Sequence, residues 1–227
     1  MCGRFTLTWD QWRRVADALG IDEHSEVAAS YRPRFNLAPT DEHFIVTSEF
    51  ERRKAQPARW GLVNRWARDN RRAAQCINAK AETLERLPSF SEAFQKRRCV
   101  VPADGFYEWV GPKNKRRPLW IHPRDGGLLL FAGLFEAWYP QPSRPELTFT
   151  IVTCAANATV AEIHDRMPVV LNDKTAEDWM NPKEQNPLSL KRLLVPAPAE
   201  LLAIRRVSPL VNSVKNDGAE LLVAPAE

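Results

Sequence analysis

The sequence predicts an α+β protein with a single β-rich domain over residues 1–227, built from a mainly antiparallel sheet with peripheral helices. Three observations support this class. Seven short segments read as strands, four segments carry helical patterns, and the 18 prolines are scattered with no repeat or long linker. Many short strands in one chain favour a sheet that closes into a barrel or folds over on itself, and the pattern fits both.

The first predicted helix follows an N-terminal capping box. Thr8 and Gln11 have the T-x-x-Q spacing, and apolar residues then recur at helical intervals through residues 9–19. Gly20 stands where a C-terminal cap belongs. Further helices are predicted over 89–96, over 158–163, and from Asn172 as N-cap to Met180 before Pro182.

The predicted strands are rich in β-branched and aromatic residues and are bounded by turn residues. Asp125, Gly126 and Gly127 separate two of them, and this composition is typical of a hairpin turn. The seven predicted strands cover residues 43–47, 59–63, 98–101, 105–110, 119–122, 128–135 and 147–154.

Composition excludes several classes of protein. Hydrophobic residues make up 44% of the 227 residues, enough for a sizeable core, and no apolar run approaches the ~20 residues of a membrane span. The N-terminus has no apolar stretch behind a basic start, so a cytosolic protein is expected. The cysteines show no CxxC pairing, so neither a metal site nor a disulfide framework is expected, and Cys76, Cys99 and Cys154 are interpreted as buried thiols.

Basic residues are clustered along the chain, although the net charge is only +4. Arginines interleaved with tryptophans suit neutralisation of a nucleic-acid backbone together with base stacking. The alternative is that most of the eight tryptophans belong to the core and most charged runs are solvated loops. The clusters are Arg52–Lys54, residues 65, 68, 71 and 72, residues 96–98, and residues 113 and 115–117.

Cys2 is the first candidate for chemistry. If Met1 is removed, Cys2 carries an α-amine and a thiol on adjacent carbons, and the amine has a reference pKa of roughly 7.7–8.0. Such a 1,2-aminothiol attacks an aldehyde through the amine, and the thiol then closes a five-membered thiazolidine ring. The alternative is that Cys2 simply packs into the core.

Three further polar residues lie in distinctive stretches. His164 stands among charged residues in EIHDRMP (162–168) and suits general acid–base work, although a surface histidine in a polar turn is the alternative. Glu108 lies between two aromatic residues of ADGFYEW (103–109), so it faces either a cleft or solvent. Asn78 in INAKAET (77–83) either orients a reacting group or caps a turn.

Eight short stretches in a fixed order together resemble the SOS-response-associated peptidase (SRAP) family, the abasic-site processing proteins. Each stretch alone is weak, but their order covers essentially the whole chain. They are MCGRF (1–5), RFNLAP (34–39), RWGL (59–62), INAKAET, ADGFYEW, TCAAN (153–157), IHDRMP (163–168) and VKNDGAEL (214–221).

The resemblance implies binding of single-stranded DNA at an abasic site and capture of its sugar aldehyde by Cys2 as a thiazolidine crosslink, which protects the lesion. By the same resemblance, Asn78 orients Cys2, Glu108 steers proton transfers, and His164 assists sugar opening and crosslink reversal. Apart from the resemblance, nothing in the sequence suggests an oligomer, a metal or an organic cofactor, so the expectation is a monomer of the bacterial cytosol, nucleoid-associated when bound to DNA, with no cofactor. The implied DNA contacts are Arg4, Asn36, Pro39, Trp66, Lys80, Thr153 and Arg166.

The chain departs from the family pattern at two places. Lys80 stands where some members have arginine, which keeps the charge and loses bidentate phosphate contact. Ala67 follows Trp66 where some members place a second aromatic residue, which affects the stacking arrangement.

Two other functions fit the same residues. A thiol peptidase, the activity for which the family was named, would use Cys2 with His164 and Glu108, acting on other proteins or on its own Met1. A non-catalytic single-strand binding module would need only the basic and aromatic residues.

Overall fold

The computed structural model describes residues 2–50, 52–112, 115–141 and 144–225. The strands are β1 (Phe5–Leu7), β2 (Arg34–Leu37), β3 (Glu42–Glu49), β4 (Arg52–Trp60), β5 (Asn78–Lys80), β6 (Arg98–Ala103), β7 (Gly105–Val110), β8 (Arg117–Pro123), β9 (Leu129–Gln141), β10 (Arg144–Ala155), β11 (Arg166–Pro168), β12 (Val170–Leu171) and β13 (Leu202–Arg206). The α-helices are α1 (Trp12–Leu19), α2 (Ser91–Lys96), α3 (Ala158–Ala161), α4 (Asp173–Met180) and α5 (Pro187–Arg192).

Five strands close into a barrel, which confirms the predicted α+β class. Antiparallel pairs join β4 to β3, β3 to β6, β6 to β9 and β9 to β10. A parallel pair between β10 and β4 closes the ring, with Thr148 opposite Arg59. Closure leaves these strands without a free edge along the paired segments.

A second, five-stranded antiparallel sheet packs on the barrel in the order β13-β8-β7-β1-β2. Its strand β1 brings Phe5 into the main core, where the ring meets Trp60 edge-on at 5.0 Å between centroids. Along β7, Phe106 lies in the main core whereas Tyr107 lies in a smaller cluster with Trp120. This alternation places Glu108 on the side of β7 that carries Phe106.

The C-terminal half of β10 gathers two short strands. β5 runs parallel to it, with Asn78 opposite Ile151 and Lys80 opposite Thr153. On the other edge β11 is antiparallel, with Arg166 opposite Ala155. Residues that are about 75 to 90 positions apart in the sequence therefore meet at this end of β10.

The capping box predicted for the first helix was wrong. Helix α1 begins at Trp12, and its N-cap Gln11 makes no side-chain hydrogen bond. The Thr8 amide and hydroxyl both donate to Asp104 Oδ2 at 2.6 Å, so a partner at the bend between β6 and β7 takes the group that a local cap would use. The predicted C-cap is confirmed, because Gly20 is left-handed at φ 61°.

The other helices agree with prediction to within two residues at their ends. Asn172 caps α4 and forms a reciprocal capping box with Thr175. Helix α2 begins at residue 91 in place of 89, and α3 ends at residue 161 in place of 163. Helix α5 was not predicted. Among the described residues, no helix is both long and apolar enough to span a membrane.

Two strand predictions need correction. The strand expected over 59–63 is the end of β4, which stops at Trp60 because Gly61 has φ 123° and a Cβ there would meet the Ala73 carbonyl oxygen at 2.8 Å. A turn does form at residues 124–126, with the Gly126 amide donating to the Pro123 carbonyl. It joins β8 to β9, which belong to different sheets, so the predicted hairpin was wrong.

Candidate functional site

Cys2 lies at the start of β1 and is fully buried against the main core. The Asn78 side-chain amide donates to the Cys2 carbonyl at 2.7 Å, and the Cys2 Sγ lies 3.6 Å from the Arg4 carbonyl oxygen. Burial raises the pKa of the Cys2 thiol, and the negative charge of Glu108 raises it further, so the thiol is neutral in this environment. Met1 lies outside the described residues.

Glu108 is a buried carboxylate whose charge acts on Cys2. Its side chain is 6% exposed, and its charge acts on the Cys2 thiol. Of the two sequence interpretations, the structure therefore supports a carboxylate that faces inward, toward Cys2, and not one that faces solvent. The amide of Asn78 and the charge of Glu108 thus both act on Cys2.

His164 follows α3, and its backbone amide donates to the Val160 carbonyl. The Arg166 backbone N–H lies 2.9 Å from His164 Nδ1, and Asp165 Oδ1 lies at the same distance from that atom. Nδ1 cannot accept from Arg166 and donate to Asp165 in the same protonation state. When Nδ1 accepts from Arg166, the ring proton is on Nε2; when Nδ1 is protonated, it donates to Asp165.

Arg4 and Asn36 form one hydrogen-bonded unit beneath the C-terminal segment 207–222. Arg4 Nη1 donates to Asn36 Oδ1 at 2.8 Å and lies 2.9 Å from the Val211 carbonyl oxygen. The Asn36 amide nitrogen donates to Ser213 and Asn216 carbonyls, and Asn36 is buried. Burial lowers the pKa of Arg4. Asn36 therefore orients Arg4.

Arg166 and Thr153 meet at the end of β10. Arg166 Nη2 donates to the Thr153 carbonyl at 2.6 Å, and Thr153 itself is buried. Arg166 also forms a two-point ion pair with Glu82. Lys80 is exposed on the neighbouring strand β5.

Trp66 is the one exposed tryptophan of the eight, with 67% of its surface accessible, and Pro39 is half-buried. Trp66 borders a groove of about 510 Å³. The Trp138 indole donates to the Ala67 carbonyl and so anchors this segment to the barrel. The basic residues lining the groove are Arg68, Arg71 and Arg72.

Several residues of the other basic clusters are engaged within the protein, whereas Lys115, Arg116 and Arg117 are exposed. Arg98 is 4% exposed and donates to five carbonyl oxygens, two in the last turn of α2 and three around the end of α4. Arg53 contacts Asp173 and Glu177, and Arg97 pairs with Glu136. Lys113 of the remaining cluster lies outside the described residues.

Comparison with known proteins decides the family. The model of the family "SOS response associated peptidase (SRAP)" matches residues 1–214.

The chain belongs to the SRAP family.

Several relatives share nearly its full length. The abasic site processing protein YoqW of Bacillus subtilis is 39% identical over 98% of this chain and 99% of that protein. The abasic site processing protein HMCES of Gallus gallus is 32% identical over 85% of this chain and 66% of that protein. A solved structure of a protein from Bacteroides thetaiotaomicron covers 99% of this chain and 100% of that chain with a TM-score of 0.87 at 24% identity, which shows the same fold.

In this SRAP chain, the sequence interpretation missed the residues that hold others in place. Asp217 accepts the backbone N–H groups of Phe35 and Asn36, and Glu82 binds Arg166. Both acids lie within the recognised stretches VKNDGAEL and INAKAET. Motif order reveals these stretches, but the partners lie 84 or more residues away and emerge only in three dimensions.

Of the three free cysteines assigned to the interior, Cys99 and Cys154 are buried, whereas Cys76 is half-buried beside the Trp66 groove. Among the described residues, no group of three or more histidine, cysteine or acidic side chains is arranged to hold a metal ion.

Proposed function

We propose that this protein binds single-stranded DNA at an abasic site and captures the open-chain sugar aldehyde through Cys2, after removal of Met1. The observation that carries the proposal is the environment of Cys2: its backbone is held by Asn78 at 2.7 Å, and its buried thiol lies in the field of Glu108. The names of the relatives, abasic site processing proteins, support DNA with abasic sites as the ligand.

The reaction proceeds in two bond-forming steps. The neutral Cys2 α-amine adds to the aldehyde carbon to give a carbinolamine, which takes up one proton and loses one water to give a protonated imine. The thiol sulfur then adds to the imine carbon, and its proton leaves as the C–S bond forms. The product is a thiazolidine ring, with one water lost overall and no oxidant or reductant consumed.

The proposed roles follow from chemistry. Asn78 fixes the Cys2 backbone, so that the amine keeps one direction. Glu108 accepts the thiol proton and donates to the departing water, because it is the carboxylate whose charge acts on Cys2. His164 transfers a proton at the sugar ring oxygen during opening and during crosslink reversal, from Nε2 when Nδ1 accepts the Arg166 amide.

The raised pKa of the Cys2 thiol favours this order of steps over a thiol peptidase. A peptidase attacks with a thiolate, which burial and Glu108 both disfavour here. In the proposed reaction the amine attacks first, and the thiol needs to lose its proton only as the ring closes. We therefore treat peptidase activity as an outcome of the test.

The proposal includes a monomer as the state that acts on DNA. Because the proposed ligand is DNA, we propose that the protein acts in the bacterial cytosol and is associated with the nucleoid when it is bound to DNA.

The decisive experiment is intact mass spectrometry after incubation with a single-stranded oligonucleotide that carries one abasic site. We expect an adduct of one oligonucleotide minus one water, on protein that lacks Met1. In Cys2→Ala the α-amine remains, so the imine forms without ring closure. That variant should give an adduct only when borohydride is added.

The matched control is Cys76→Ala, which removes a half-buried thiol elsewhere and should crosslink like the wild type. A Cys2→Ala variant that forms the stable adduct without reductant would contradict the proposal. Cleavage of added peptides by the wild type without DNA, and loss of that cleavage in Cys2→Ala, would favour the peptidase instead.

A further inference from the structure

The guanidinium of Arg166 already holds an anion in this structure. Arg166 Nη1 donates to Glu82 Oε1 at 2.6 Å, and Nη2 donates to Glu82 Oε2 at 2.9 Å. Nη2 also donates to the Thr153 carbonyl at 2.6 Å, and Nε is buried. Glu82 therefore engages both terminal nitrogens with which Arg166 would grip a phosphate.

A carboxylate and a phosphate can bind the two terminal nitrogens of Arg166 in the same way, so they compete for this position. Both offer two oxygens to the parallel N–H groups of an arginine fork. Lys80 adds a second cation, since the pKa of Glu82 is lowered chiefly by the hydrogen bonds from Arg166, with the charge of Lys80 also contributing. The Glu82 carboxylate thus lies in the field of two cations.

This anion position is linked to Cys2 through strand β5 and Asn78. Strand β5 alternates its faces, so Asn78 and Lys80 share one face while Ala79 is buried on the other. Asn78 is the residue that holds the Cys2 carbonyl. A strand whose sugar reaches Cys2 therefore passes the Lys80 and Arg166 pair.

We propose that the Glu82 carboxylate occupies a phosphate position of the DNA-binding surface and is displaced by a phosphodiester of single-stranded DNA. Glu82 thereby sets how tightly the strand is held. The nature of the ligand rests on the function proposed above.

The two partners differ in a way that suits displacement. The Glu82 side chain is 54% exposed, whereas that of Arg166 is 13% exposed and stays anchored through Thr153. Exposed ion pairs contribute little stability, because water and salt screen them. Glu82 can therefore rotate into solvent, while the cation remains where the phosphate arrives.

The test is fluorescence anisotropy with an intact single-stranded oligonucleotide, which measures binding without crosslinking. Glu82→Gln should bind about tenfold more tightly at low salt, because Arg166 is freed for a charge-assisted contact. The slope of log K against log salt should stay the same as in the wild type, because the same phosphate contacts Arg166 in both proteins once Glu82 is displaced.

Glu85→Gln is the matched control. Glu85 lies three residues further along and pairs with Lys191 at 3.0 Å, so its loss removes the same charge without freeing Arg166. We expect its affinity to stay within about twofold of the wild type. An equal gain in Glu85→Gln would reduce the effect to general charge and overturn the proposal.

Two more results would overturn it. If Glu82→Gln binds DNA more weakly, Glu82 supports Arg166 and does not compete with phosphate. If the gain in affinity persists when Arg166 is also changed to glutamine, the Arg166 guanidinium is not the group that binds the phosphate. If Glu82→Gln does not fold by circular dichroism, Glu82→Asp, one methylene shorter, should show a smaller gain. If the wild type binds single-stranded DNA but forms no crosslink, the proposed function is wrong. The affinities of Glu82→Gln and Glu85→Gln for intact DNA still test the role of Glu82 in that case.

Discussion

At the scale of single residues, several polar side chains inside this protein have defined hydrogen-bond partners. His43 is an example away from the candidate site. Its Nε2 lies 2.9 Å from the Pro102 carbonyl oxygen, and its ring meets Phe5 edge-on at 5.2 Å. The Nε2 proton therefore donates to Pro102 in the neutral ring, and burial lowers the pKa of His43 to about 4 from an ordinary 6.5.

This shift predicts acid sensitivity of the fold. Between pH 6.5 and 4 the unfolded chain binds a proton at His43 that the folded protein does not, so stability rises with pH through this window and falls as pH is lowered. The loss attributable to His43 is at most about 3 kcal/mol. Urea unfolding of the wild type and of His43→Gln, which keeps an N–H for Pro102, measures it at pH 7 and pH 4.5.

The control for His43 is His24→Gln, because the His24 side chain is 86% exposed. We expect His24→Gln to lose as much stability on acidification as the wild type, whereas His43→Gln loses less. Equal losses in all three proteins would remove His43 from the acid response.

At the scale of elements, the C-terminal segment 207–222 acts as a strap that positions Arg4. Its Val211 carbonyl accepts from Arg4, and its Asn216 carbonyl accepts from Asn36. Asp217 accepts the Phe35 and Asn36 amides, and its second oxygen pairs with Arg34. Although this segment has only short 3-10 turns, its contacts are long-range and specific.

Asp217→Asn tests the strap. The change removes the charge that Arg34 meets at 15% exposure, so we expect a loss of about 2 kcal/mol in the free energy of unfolding. Binding of single-stranded DNA should also weaken, because Arg4 loses part of its support. Urea unfolding and fluorescence anisotropy measure the two effects separately.

Asp69→Asn is the counterpart on the surface, where Asp69 pairs with the exposed Arg71. We expect no measurable change in its stability. If both variants unfold at the same urea concentration as the wild type, the strap does not hold the β2 region.

At the scale of the whole molecule, the fold determines which basic residues are exposed and which are paired, and the net charge of +4 does not show this difference. Arg98 is sequestered among carbonyls, and Arg53 and Arg97 are paired with acids. The groove beside Trp66 keeps Arg68 and Arg72 exposed. The basic surface available to a polyanion is therefore narrower than the sequence indicates.

Salt dependence of single-strand binding follows from this sorting. For Z phosphate contacts, log K should fall with log salt with a slope of about −0.7Z. Arg72→Gln should make the slope shallower by about 0.7, as expected for one lost contact. Arg52→Gln, an equal loss of charge on the β3–β4 hairpin, should leave the slope unchanged. A flat wild-type response would contradict nucleic-acid binding altogether.

The sequence by itself determined features encoded within a few residues. The Asn172 cap, the Gly20 terminus and the alternation around Glu108 depend on neighbours in the chain, so they were predicted correctly. The order of short motifs identified the family, because that order is a property of the sequence alone.

Only the tertiary structure decided which groups meet. The β4–β10 pair closes the barrel, Asp104 takes Thr8 away from a helix cap, and Glu82 occupies Arg166. Each of these contacts joins residues between about 80 and 100 positions apart, and strand register determines which side chains come together. Local patterns carry no information on register between distant strands, which is why these partners could not be read from the chain.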